Sequence, residues 1–107
     1  MNEITYVEAS RKLGERMLTQ GGQTDAERIA NGLQWVLARP AKPAEVAVLV
    51  AGLTADRKLF EQRPDDAKQF LTVGASPVPL NLNQAELAAY ALTANVLLNL
   101  DEAVTRE

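Results

Sequence analysis

The chain has 107 residues, of which 47% are hydrophobic and 23% charged, a balance that fits one globular domain with an ordinary core and excludes a disordered segment. Its formal net charge is −3, with no basic block, which argues against a nucleic-acid binder, since that affinity rests on neutralising phosphates. Cysteine and histidine are both absent, which removes disulfides, thiolate and imidazole metal sites, covalent haem attachment and every Ser–His or Cys–His catalytic pair.

The apolar pattern predicts an all-α domain spanning 1–107, a bundle of about five helices. Thr5-Tyr6-Val7-Glu8 reads as a capping box that opens a first helix from Tyr6 to Thr19, with Tyr6, Ala9, Leu13 and Met17 on one face. Gly21-Gly22 ends it, because glycine accepts the left-handed conformation found after a helix. Thr24-Asp25-Ala26-Glu27 is a second capping box, and the helix it opens runs through Ala38 to the Arg39-Pro40 break. Ile29, Leu33, Val36 and Leu37 form its apolar stripe. Trp35 lies on a different side with Arg28 and Arg39, and Gly32 on that side is read as permitting another helix to come close.

Pro43 suits the first position of a third helix, where its missing N–H costs nothing. Val46, Leu49, Val50, Leu53 and Phe60 then recur at helical spacing to about Gln62. Pro64 permits a new start, and Ala67, Phe70 and Leu71 mark a short fourth helix from Asp65 to Val73, stopped by Gly74. Residues 75–82 read as a loop restrained by Pro77 and Pro79. The last helix, Gln84 to Asp101, is apolar in almost every direction. It is therefore expected at the centre of the bundle, with Val96 and Leu98 among its core positions.

No apolar run reaches the length of a membrane span, so no membrane insertion is expected. Met1-Asn2-Glu3-Ile4 has neither the basic start nor the apolar core of a signal peptide. Asp65-Asp66 favours the positive start of the fourth helix rather than a cation site, and Asn95 and Asn99, one turn apart, read as structural amides. Trp35 is either a packing residue or a contact to a neighbouring domain. Asp101 and Glu102 would sit at the negative end of the last helix, which calls for a compensating cation. Arg28 and Arg39, three turns apart on one side of the second helix, are the candidates. Arg28, Trp35, Arg39, Asp101 and Glu102 thus form a candidate structural clamp or contact surface, with Arg39 preferred as the partner of the acids.

Three blocks carry a family resemblance: Ala26-Glu27-Arg28-Ile29-Ala30 leading to Leu37-Ala38-Arg39-Pro40, Pro43-Ala44-Glu45-Val46-Ala47-Val48-Leu49, and Val96-Leu97-Leu98-Asn99-Leu100-Asp101-Glu102 followed by Thr105-Arg106-Glu107. In this order the chain resembles the C-terminal domain of the large planctomycete cytochrome-c-associated proteins, a family of unknown function. It departs from that pattern at Ala103, in a stretch where the family often has an aromatic residue. The resemblance implies a module at the end of a long, exported, multi-domain bacterial protein, periplasmic or extracellular, whose haem chemistry belongs to another part of that polypeptide.

The expected function is a non-catalytic helical module for assembly or partner contact, its partners being neighbouring domains of the same polypeptide or another protein, with no cofactor. The rival from another class is part of an enzyme that acts on a polar or carbohydrate substrate through carboxylates and arginines, which would need two carboxyls facing one cleft. Because only carboxylates remain as ligands, the melting temperature should not change with chelator, calcium or zinc. A clear upward shift with any of these cations would reveal a site, since a ligand selective for the native state must stabilise it.

Overall fold

A helix that is apolar all round has no stable place on a surface, and the last helix is accordingly the one that the other four surround. The computed structural model contains α1 (Glu3–Gln20), α2 (Asp25–Leu37), α3 (Pro43–Gln62), α4 (Pro64–Leu71) and α5 (Gln84–Thr105). It describes residues 3–72 and 77–105, with side chains for 7–72 and 77–101, and there is no strand among them. Gly74, the expected stop of the fourth helix, and the side chain of Tyr6 lie outside the described residues.

Along α5, Leu87, Ala88, Ala89, Tyr90 and Ala91 are consecutive and fully buried, which requires neighbours on every side of the helix. α1 supplies the largest of these contacts. It lies antiparallel to α5, as two contacts establish: Ser10 Oγ accepts a hydrogen bond from Asn95 Nδ2 at 3.0 Å, and Gly14 meets Ala91 one turn further along. A methyl group on Gly14 would stand 2.7 Å from the Ala91 nitrogen and 2.8 Å from its Cα, so the two backbones approach as closely as glycine alone allows. α3 also runs antiparallel to α5. Its first turns stand beside Val96 and Leu100, whereas Arg57, near its other end, reaches Glu86.

Part of the expected face of α1 is kept, since Met17 is fully buried and Leu13 packs against the core, and the contact extends to Ser10 and Gly14. Ser10, Arg11, Gly14 and Met17 are buried, while Ala9 is exposed, because the small residues Ser10 and Gly14 let the helix in closest. α1 also begins at Glu3, which puts Thr5 inside the helix rather than at its cap. Arg11, only 2% exposed, donates from Nη1 to the Leu71 carbonyl and so caps the C-terminal end of α4. As expected, another helix comes close at Gly32: the Met17 side chain of α1 lies over this glycine.

The turns follow local chemistry. Gly22 has φ +126°, a conformation that needs glycine. The Thr24 hydroxyl accepts from the Glu27 N–H at 3.2 Å and caps α2. α2 ends at Leu37, one residue before the expected Ala38, which takes the left-handed conformation at φ 55°. Asn83 Oδ1 accepts from the Glu86 N–H at 2.9 Å and opens α5. Phe60 and Phe70 stack with ring centroids 6.2 Å apart and tie α4 to α3.

Two expected core positions of α5 are not core. Val96 is 45% exposed and Leu98 only half-buried, while Leu97 is fully buried. The reason is uneven cover: α2 meets the start of α5 at Tyr90, and the Val96–Leu100 side faces an open groove beside α3. Leu97→Ala should therefore cost about 2–5 kcal/mol, and Val96→Ala less than about 1 kcal/mol. Gly14→Ala should cost about 1–3 kcal/mol through overpacking against the Ala91 backbone. Urea unfolding of the three variants checks these values, and a Gly14→Ala protein as stable as the wild type would mean that α1 and α5 are not in close contact.

Candidate functional site

The polar interior lies where α2, α3 and the start of α5 meet. Tyr90 sits in the fully buried stretch of α5, so its hydroxyl must find a partner inside. It donates to Asp25 Oδ1 across a short bond. The same oxygen accepts from Arg57 Nη2 of α3 at 2.7 Å. Arg28 adds Nη1 to the Tyr90 hydroxyl at 3.4 Å, and its guanidinium carbon stands 5.8 Å from the Tyr90 ring centre. Glu86, one turn before Tyr90, stands 3.9 Å from Arg28 and 3.8 Å from Arg57. Two arginines and two carboxylates thus balance in charge around one phenol, with side chains between about one fifth and one third exposed.

This geometry sets the protonation states. Burial pushes the Asp25 carboxyl up, but hydrogen bonds from Arg57 and Tyr90, with the charges of Arg57 and Arg28, outweigh it and hold the group below its ordinary value. Burial and the bond to Asp25 push the Tyr90 phenol up to about 12. The result is a fixed carboxylate and a fixed neutral phenol at neutral pH. Neither is poised to exchange a proton there, as general acid–base chemistry would need. Asp56, the neighbour of Arg57 in the chain, is half-buried, and its carboxyl is raised by burial. Among the described residues, no group of three or more Asp or Glu could hold a metal ion.

The expected clamp residues are distributed differently. Arg39 makes a two-pronged bond to Glu45, with Nη1–Oε1 at 2.9 Å and Nη2–Oε2 at 2.7 Å. Glu45 Oε1 also accepts from the Lys42 N–H at 3.0 Å, which closes the turn into α3. The Arg39 bond, the Lys42 N–H and the nearby charges carry the Glu45 carboxyl down to about 2. Arg28 is committed to the Tyr90 cluster and to the Gly22 carbonyl, 3.1 Å from its Nε. Asp101 lies eleven residues beyond Tyr90, roughly 16 Å along the helix, so Arg28 does not serve it. The premise about the helix end also changes, because α5 continues to Thr105 and places Asp101 a full turn before its C-terminus. The side chain of Glu102 lies outside the described residues.

Trp35 is half-buried and carries the guanidinium of Arg16 from α1, whose central carbon is 3.9 Å from the ring centre. The residues are thus drawn into three separate fasteners: Arg28 with Tyr90 and Asp25, Trp35 with Arg16, and Arg39 with Glu45. Asp25, Arg57, Glu86 and Tyr90 were not singled out by the sequence, although two signals were present. Arg57 falls between the core positions Leu53 and Phe60 at helical spacing, which points it inward, and a tyrosine within an otherwise apolar run implies an interior acceptor.

A second feature is apolar. Residues 44–53 of α3 contain one charged side chain, Glu45, and that charge is neutralised in place by Arg39. Val48 is 72% exposed. On one side Ala44, Val48 and Leu49 line a groove with Val96 and Leu100 of α5. On the other side Pro43, Val46, Ala47 and Val50 line a second groove with Ala26 and Ala30 of α2. Among the described residues, no helix is long and apolar enough to cross a membrane. No protein-family model, curated protein or solved structure matches the chain.

The linkage is directional. Between the ordinary tyrosine value near 10 and about 12, the unfolded chain loses the Tyr90 proton before the folded one does, so this contribution is complete below pH 10 and disappears as pH rises to 12. Asp25 acts at the other end. Its contribution is present above its ordinary value of 3.8 and is lost as pH falls through its lowered value. Tyr90→Phe should cost about 1–2 kcal/mol at neutral pH and flatten the alkaline decline in unfolding free energy. Denaturant titrations at stepped pH check this, and an unchanged alkaline slope would place the hydroxyl outside the cluster.

Proposed function

We propose that this domain is a non-catalytic helical module that joins or orients a neighbouring domain of the same polypeptide, or a protein partner, through the outer face of α3. The observation that carries the reading is the state of residues 44–53, an apolar helical stretch with an open groove on each side. A helix apolar on most of its surface belongs in a core, and its neighbours within this chain cover only part of it. Gly52 adds to this. It is exposed in the middle of a 20-residue helix, where glycine costs about 0.5–1 kcal/mol relative to alanine, and among the described residues no other part of the structure comes within 4 Å of where its Cβ would be. A partner helix packed closely on Ala44, Val48, Ala51 and Gly52 would use that missing side chain.

The ionic cluster favours a structural role over chemistry. The Asp25 Oδ1 atom is held by arginine and tyrosine donors, and the cluster links three helices, α2, α3 and α5. The resemblance to the planctomycete cytochrome-c-associated proteins supports a place at the C-terminal end of an exported, multi-domain bacterial protein. There such a module would act in the periplasm or outside the cell.

The test uses the absence of cysteine from the chain. Val48→Cys places one thiol on the α3 face, and Thr19→Cys places one on the exposed side of α1 as a control. Each is introduced into the 107-residue domain and into the complete product of its gene, and the rate of maleimide labelling is measured. At least tenfold slower labelling of the Val48→Cys protein in the complete product, with the Thr19→Cys control unchanged, is the expected result. Equal rates for Val48→Cys in both would overturn contact through this face within the polypeptide. Equal rates that persist in the native cell extract would overturn the partner reading as well.

A further inference from the structure

We draw no further inference here: the strongest candidate, the apolar groove between α2 and α3 lined by Ala30, Pro43, Val46, Ala47 and Val50, is continuous with the α3 face already described, and nothing in the structure shows what covers it.

Discussion

The approach of α1 to α5 at Gly14 governs the rest of the bundle. With 2.7 Å between the Ala91 nitrogen and the place a methyl group would take, the two backbones touch, and the small residue Ser10, one turn earlier in α1, continues the contact through its bond to Asn95. Contact at this distance brings many atoms to van der Waals separation at once, and that sum rather than any single pair gives the interface its strength. It also fixes the rotation of α1, and so decides that Arg11 points inward to the last carbonyl of α4 and that Met17 covers Gly32. With α1 in place, the first half of α5 has one side closed, and α2, α3 and α4 close the others.

Polar groups then set the register at the ends. Tyr90 is carried inside by the burial of α5, and its hydroxyl obliges α2 to bring Asp25 and α3 to bring Arg57 to the same point. Leaving any of the three alone would leave a partly shielded donor or acceptor without its partner, which discourages sliding of α2 or α3 along α5. At the far end of α2, the Arg39–Glu45 fork does the same for the entry to α3. The cluster therefore specifies an arrangement that apolar contacts alone would leave loose.

Most helix boundaries were legible in the sequence because they depend on residues within one turn of each other. The Thr24 cap, Pro43 and Asn83 each act locally and appear where the pattern puts them. What was not legible depends on long-range packing. The periodicity of α1 marks Ala9, Leu13 and Met17 as inward; Leu13 and Met17 do pack on the core, but the close contact at Ser10 and Gly14 leaves Ala9 exposed, and only the partner helix shows this. The choice of arginine partners depends on long-range packing too. Charge and helix position identify which acids need a cation, but not which cation the fold delivers, and Arg39 met Glu45 six residues away. Val96 was misplaced because a helix apolar all round is read as buried all round. Among the described residues, the cover stops short of that side.

The same unevenness links fold to function. Apolar surface concentrates where α3 and the later turns of α5 lie side by side, and among the described residues Glu45, neutralised by Arg39, is the one charged side chain that lines the groove there. The account thus describes a domain with a tight half around Gly14 and Tyr90 and an under-covered half around Val48. Native-state hydrogen exchange of the 107-residue chain tests this division most directly, because it reads the opening free energy of each helix separately. The account predicts that amides of α5 from Leu87 to Leu97 exchange only through global unfolding, while those of α3 from Val46 to Gly52 open locally at lower free energy. Equal protection of both segments, or local opening of α5 first, would contradict it.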